Sequence, residues 1–319
     1  MNILITGCAG FIGFNLCSSL LKNKNNKIIG IDNINNYYST KLKKDRLKIL
    51  QKSKNFKFYK KDLKNYNSIF KIFKSNKIKI IYHLAAQAGV RYSIDNPKKY
   101  SDSNMVGFFN LLEISRIKNV KKIIYASSSS VYGESKSFPL NEKQRTLPKN
   151  FYGLTKKINE QIAEIYSNYY KMKFIGLRFF TVYGEWGRPD MSIFKIIDAS
   201  FRKKIFYLNN FGNHDRDFTY IGDVVNIIKK LKFSSKSNHK IYNIASNKPI
   251  NLKKLIILIS TLIPLPKIKS RGMQKADVKK THGDNKEVVN LTNYKKFFDI
   301  KSGLSRTINW YKSYYIKNN

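Results

Sequence analysis

Cysteine is almost missing from this chain: Cys8 and Cys17 are the only two in 319 residues. Both fall in the first strand–turn–helix pattern, so a disulfide framework and a zinc knuckle are excluded, and they read as small packed side chains. Four histidines (His83, His214, His239, His282) lie far apart, and no metal site is expected. Acidic residues are scarce, 20 against 61 Lys and Arg, for a net charge of +41. Such a balance raises nucleic acid as a partner. The excess, however, is mostly Lys spread along the whole length beside abundant Asn and Ile, as an AT-rich coding sequence imposes. With no basic tail or Arg-rich patch, no specific nucleic-acid partner is expected. Long apolar runs are also lacking. Residues 255–266 are interrupted by Ser260, Thr261 and Pro264, short of the roughly 20 residues a membrane span needs. Residues 1–7 carry no basic leader. A cytoplasmic protein without a membrane partner is expected.

What is present is a 42% hydrophobic content, enough for one large α/β unit or two closely joined domains. Strand patterns at 2–6, 27–31, 56–59, 78–83, 121–126 and 174–178 alternate with helical patterns near 11–21, 66–74, 101–117 and 152–170. That alternation predicts a parallel sheet with helices on both faces. Beyond residue 180 the pattern loosens around Gly184, Gly187, Pro189 and Gly212, with helices expected near 223–231, 252–262 and 305–314. The expected division is a Rossmann-type, doubly wound nucleotide-binding domain over 1–178, and a smaller mixed α/β substrate lobe mainly over 179–319. Segments near 218–245 are expected to return toward the first domain.

Gly7-Cys8-Ala9-Gly10-Phe11-Ile12-Gly13 has the spacing G-x-x-G-x-x-G, directly after a strand and opening a helix. Glycines let the backbone turn tightly and approach a pyrophosphate, whose charge meets the helix N-terminus. Asp32 closes the second strand about 20 residues on, where a carboxylate accepts from a ribose 2′-hydroxyl and repels a 2′-phosphate. This favours NAD over NADP. Asp62-Leu63, after the third strand, falls where an adenine contact belongs.

Tyr152 and Lys156 form Y-x-x-x-K, which places phenol and ammonium on one helix face. A free tyrosine, with a pKa near 10, is a poor base at neutral pH. The expectation is that Lys156 lowers that pKa so that Tyr152 can take a proton from a carbinol. Residues 127–133, Ser-Ser-Ser-Ser-Val-Tyr-Gly, follow the fifth strand and supply Ser128 as a hydroxyl that shares the reacting alcohol.

The order of these features resembles the extended short-chain dehydrogenase/reductase family. Within it, residues 83–91 (HLAAQAGVR), 125–133 (YASSSSVYG) and 177–184 (LRFFTVYG) look like sugar-nucleotide 4-epimerases. Residues 186–191 (WGRPDM) are similar to the subgroup acting on UDP-glucuronate. The likeness covers nearly the whole chain, including 216–220 and 273–278. It implies NAD held by the glycine turn, Asp32, Asn33, Asp62, Leu63, Leu84, Ala85, Ala86, Tyr152 and Lys156, and catalysis by Ser128, Tyr152 and Lys156. A UDP-sugar would lie against Gln87, Arg91, Ser129, Ser130, Thr181, Arg188, Met191, Arg216 and Asp277, the last two near the diphosphate and uridine. Arg188 offers a planar fork for a sugar carboxylate. A homodimer through the helices near 101–117 and 152–170 is implied by analogy. Three departures stand out: Ala276 where the subgroup has Gly, Gly222 where it has an acid, and Asn150 for a common serine.

The activity implied is 4-epimerisation of a UDP-sugar, UDP-glucuronate to UDP-galacturonate, through a transient 4-keto sugar. A UDP-glucose or UDP-N-acetylglucosamine 4-epimerase, a UDP-glucuronate decarboxylase and a non-catalytic NAD-binding regulatory protein remain alternatives. A 4,6-dehydratase needs an Asp–Glu pair where Ser129 and Ser130 stand, which argues against it.

Overall fold

A computed structural model describes residues 1–275 and 277–316; Ala276 lies outside the described residues. Twelve strands run through them. Seven make the main sheet: β1 (Asn2–Thr6), β2 (Lys27–Asp32), β3 (Phe56–Lys60), β4 (Ile80–His83), β5 (Lys122–Ser128), β6 (Lys173–Phe179) and, later, His239–Ile244. The rest are β7 (Thr181–Tyr183), β8 (Phe206–Asn209), β9 (Asp215–Tyr220), then β10, which is His239–Ile244, β11 (Pro249–Asn251) and β12 (Ile268–Arg271). The main sheet has the order β10-β6-β5-β4-β1-β2-β3, every pair parallel.

The inner strands β1, β2, β4 and β5 form because they are Ile-rich and buried on both faces, whereas β3 at the edge is an aromatic and Lys strand that stays half-exposed. Side chains alternate across a strand, so Ile3 and Ile5 pack into the core on one face and Leu4 into the core on the other. Ile28 is likewise opposed by Ile29, and Ile124 by Ile123. Each fully buried Ile removes enough apolar surface to contribute ~1.5–3 kcal/mol. The architecture is a Rossmann-type α/β fold. Its strand order reverses between β1 and β4, leaving a crevice at their carboxyl ends.

Helix Phe151–Tyr170 shows how a polar face is buried. Asn150 caps it, its side chain accepting from the Gly153 N–H at 2.8 Å, and it stops where Lys171 takes a left-handed φ of 52°. Its buried face carries Thr155, Lys156, Asn159 and Glu160. Glu160 accepts from Arg178 of β6 at 2.9 and 2.8 Å and from Ser127 at 2.5 Å. Removing one partner of such a buried pair costs ~3–5 kcal/mol, because an uncompensated charge remains.

Several elements differ from expectation. Helix Thr40–Leu50 was unforeseen because its inward face includes Lys43 and Arg46, which break the apolar period. In the second half, β9 lies between β7 and β11 in a three-stranded sheet, and β8 pairs with β12. Of residues 218–245, β10 joins the main sheet, β9 does not, and helix Ile221–Lys230 packs against helix Phe11–Leu20. Gly222 packs against the Tyr220 ring, where a Cβ would come within 2.7 Å; the neighbouring Asp223 is the buried acid, accepting from Tyr294 Oη at 2.6 Å and the Phe298 N–H at 3.0 Å. Among the described residues no helix is long and apolar enough to cross a membrane, and no group of three or more His, Cys, Asp or Glu could hold a metal.

Candidate active site

A cleft of about 1240 Å³ opens along the carboxyl ends of β1, β4 and β5 and runs on past β7 and β8 to residues 277–281. Its nucleotide end is built from backbone. Gly7 has φ +71°, and a Cβ there would come within 2.7 Å of the Ala85 N. A Cβ on Gly13 would come within 2.1 Å of the Gly7 O, while one on Gly10 meets only the Gly7 carbonyl group, its O at 3.0 Å. The turn therefore packs tightly beneath and stays open above. Gly10 caps helix Phe11–Leu20 without a side chain, so its first N–H groups are free to meet an anion.

Asp32 is held by the Ala9 N–H at 3.1 Å and the Ile34 N–H at 2.8 Å. Burial raises its pKa and those bonds oppose the rise. A carboxylate has about four acceptor positions, so capacity remains for a ribose hydroxyl. Asp62 accepts from Asn33 Nδ2 at 3.0 Å, and Asn33, Leu63, Leu84, Ala85 and Ala86 line the cleft. These residues fit an adenine dinucleotide with a free 2′-hydroxyl.

Ser128, Tyr152 and Lys156 come together in the middle of the cleft. Their electrostatics correct the expectation for Lys156. Burial pushes the Tyr152 pKa up; a hydrogen bond with Ser128 and the charge of Arg188 pull it down. Lys156, almost wholly buried, donates instead to the Ala126 O at 2.8 Å. Burial lowers its own pKa to about 8, with Glu160 one turn away resisting the loss of charge. The i,i+4 spacing brought both groups to one face, but the ammonium points at the end of β5.

The sugar end is built from paired charges. Gln87, Arg91, Ser129, Ser130, Thr181, Arg188, Met191, Arg216 and Asp277 all line the cleft. Arg188 does not present its whole fork to the cleft, as the sequence suggested. Its Nε and Nη2 hold Asp190 at 3.0 and 2.5 Å, and Asp190 also accepts from Tyr37 at 3.0 Å. A carboxylate two residues along satisfies one edge of the guanidinium, leaving Nη1 for another partner. Arg91 and Asp277 pair with each other, at 2.6 and 3.3 Å. Arg216 spends its N–H groups on the carbonyls of Asp215, Val278 and Lys279, which shapes the loop beside Asp277.

Sequence reasoning missed other residues that shape the site. Asn104, fully buried in the π-helical turn Ser101–Val106, binds the Gln87 N–H at 2.7 Å, the Gln87 O at 3.0 Å and Thr155 at 3.1 Å. Glu160, Arg178, Arg46 and Asp190 likewise act from behind the cleft wall or within a loop. Each is an ordinary charged or amide residue whose partner is distant in sequence or hidden in an irregular turn.

The fold and the site define an extended short-chain dehydrogenase/reductase. The chain matches the sequence family described as GDP-mannose 4,6 dehydratase over residues 4–307, and belongs to it. Protein CapI of Staphylococcus aureus is 42% identical, over 99% of this chain and all of that protein. The UDP-glucuronate 4-epimerase of Thermodesulfobacterium geofontis is 41% identical, over 97% of this chain and 95% of that one. Among solved structures, the UDP-glucuronic acid 4-epimerase of Bacillus cereus, in complex with UDP-glucuronic acid and NAD, superposes with a TM-score of 0.92. It is 30% identical, over 99% of this chain and all of that one.

Proposed function

We propose that this chain is an NAD-dependent UDP-sugar 4-epimerase that interconverts UDP-glucuronate and UDP-galacturonate. The observation that carries the reading is that Ser128, Tyr152, Lys156 and Arg188 line one cleft, with Ser128 and the Arg188 cation drawing the Tyr152 pKa down against its burial. This couples a proton acceptor to a carboxylate receptor across one sugar ring. The likeness to UDP-glucuronate 4-epimerases supports it. The glycine turn and Asp32 seat NAD, whose nicotinamide supplies the acceptor and then the donor of a hydride at C4 of the sugar.

Tyr152 takes the proton of the C4 hydroxyl, with Ser128 sharing that oxygen and stabilising the phenolate. Lys156 anchors the end of β5 through the Ala126 O and would help hold the cofactor there. The 4-keto sugar then presents its other face, and Tyr152 returns the proton to the inverted alcohol. Ser129, Ser130 and Thr181 offer hydroxyls to the sugar, and Arg188 offers its Nη1 edge to the carboxylate. The absence of an acid pair at 129–130 favours epimerisation over the elimination that the family's description names. We read residues 1–178 as the cofactor lobe and 179–319 mainly as the substrate lobe.

The Arg188–Asp190 pair favours one second reading, a neutral-hexose 4-epimerase, because half of the fork is already spent. Purified protein given UDP-glucuronate should form UDP-galacturonate without added NAD, or with catalytic amounts. Turnover of UDP-glucose alone would establish the second reading; a product lacking one carbon would establish a decarboxylase. We also propose a homodimer. Helices Gly107–Ile117 and Phe151–Tyr170 pack together and expose Phe109, Ile117, Leu154, Ile165 and Tyr169 on the surface. Light scattering that gives the mass of one chain would exclude it.

A further inference from the structure

Arg46 is a fully buried cation, and every acceptor it uses is uncharged. Its Nη1 donates to the Ala9 O and to Tyr38 Oη, both at 2.8 Å; its Nη2 donates to the Trp186 O at 2.5 Å and the Gly187 O at 3.3 Å. A buried charge costs several kcal/mol of desolvation unless its partners repay it. Packing alone would be served better by an apolar side chain. The position of its partners gives Arg46 a role. Ala9 belongs to the glycine turn, and residues 186 and 187 begin the loop that carries Arg188. Arg46 itself is not among the residues that line the cleft, so it acts through that loop.

The loop needs such a tie. Trp186 takes a left-handed φ of 62°, sparsely populated for a bulky residue and maintained only when the surroundings over-determine it. Its ring is wedged between Phe14 of the glycine-turn helix, at 5.2 Å, and Trp310 and Tyr314 of the C-terminal segment, at 5.4 and 4.9 Å. Backbone carbonyls held by Arg46 and a ring held by three aromatics leave the peptide at 186–187 one conformation. Arg188 follows one residue later.

We infer that Arg46, from the nucleotide lobe, is a positioning residue for Arg188, and that it couples the seat of the cofactor to the grip on the sugar carboxylate. The inference rests on the functional reading above. Its consequence is chemical. After oxidation at C4 the sugar is a β-keto acid. If the carboxylate turns so that the C5–C6 bond aligns with the carbonyl π system, that bond breaks and carbon dioxide leaves. The electron pair stays as a C4–C5 enolate, and a proton returns to C5. The hydride removed from C4 in the first half then reduces the C4 carbonyl, and the product is a UDP-pentose. Holding the carboxylate out of that alignment requires Arg188 to be placed accurately, and Arg46 sets its place.

The test is the ratio of UDP-pentose to UDP-galacturonate formed from UDP-glucuronate, read by mass spectrometry beside thermal denaturation. Arg46→Lys keeps the charge but loses the planar fork, and should raise the ratio about tenfold, as a shift of ~1.4 kcal/mol between two competing barriers does. Trp186→Phe shrinks the wedge while leaving Arg46 in place. It should raise the ratio about threefold by the same relation, and it serves if Arg46→Lys does not fold. A lower melting temperature and slower turnover in both variants, with the ratio unchanged, would reduce Arg46 to a structural role and overturn the inference. A wild-type protein that leaves UDP-glucuronate untouched would instead bring down the functional reading, and the inference with it.

Discussion

At its nucleotide end the cleft is made of backbone: three glycines, free N–H groups at a helix start, and one carboxylate whose partners are main-chain N–H groups. At its sugar end it is made of charges that hold one another, Arg188 with Asp190 and Arg91 with Asp277. The first end is preformed and needs little reorganisation to accept a dinucleotide. The second must share or exchange partners when a charged sugar arrives. Rigidity therefore belongs to the part that keeps its ligand through every cycle, and exchangeable ion pairs to the part that must release it.

The largest expected effect lies between the two ends. Tyr152→Phe should lower kcat by about a thousandfold, within the range that loss of a general acid–base group produces. NAD content and substrate affinity should change little. A variant that also loses NAD would mean that the phenol is part of the nucleotide seat, which would blur the division. Gly13→Ala strikes the rigid end: a Cβ 2.1 Å from the Gly7 O forces the turn apart. The expected loss is ~1–3 kcal/mol of stability, with little NAD released when the purified variant is denatured. Normal NAD content would show that the turn yields more easily than its packing indicates.

Arg188→Ala addresses the exchangeable end alone. It should reduce kcat/KM for UDP-glucuronate by about tenfold to a hundredfold, the loss of a charge-assisted contact of ~1.5–3 kcal/mol. Any UDP-glucose turnover should fall much less; equal losses would make Arg188 a scaffold for its loop. The smallest effect concerns pH. The Lys156 pKa is depressed to about 8 by burial, below its unfolded value. Between those values the unfolded chain binds more protons, so stability should rise with pH from about 8 to about 10.4 by at most ~3 kcal/mol. Urea denaturation of wild type and Lys156→Met across that window checks it. The rise should be absent in the variant; a rise of the same size in both would assign it to other groups.

How much of this was legible along the chain depended on the range of each signal. The first six strands of the main sheet and the glycine turn were visible because their rules are local: β-branched or aromatic runs bounded by polar edges, and glycines at fixed spacing before a helix. Helix Thr40–Leu50 was not, since Lys43 and Arg46 occupy its inward face and imitate a solvated pattern. β7 and β11 were missed because they are only three residues long, and β9 because it mixes polar with apolar residues. Every expected cleft residue except Asp62 lines the cleft, and Asp62 holds one that does. Their pairings were another matter. Asp190 on Arg188, Asp277 on Arg91 and Arg46 on the Trp186 carbonyl join side chains and loops whose directions no spacing rule gives.

The sequence by itself determined a parallel α/β chain with a dinucleotide turn, an acidic residue at its second strand, and a tyrosine and lysine on one helix face. Each follows from backbone sterics or helix periodicity within a few residues. Only the tertiary structure decided the surroundings in which those groups act. Burial pushes Tyr152 up and Lys156 down, Ser128 and Arg188 moderate Tyr152, and Asp190 takes half of the Arg188 fork. Desolvation and Coulomb forces depend on what lies within a few ångströms in space, and for Arg46 and Trp186 those neighbours are 140 residues apart along the chain.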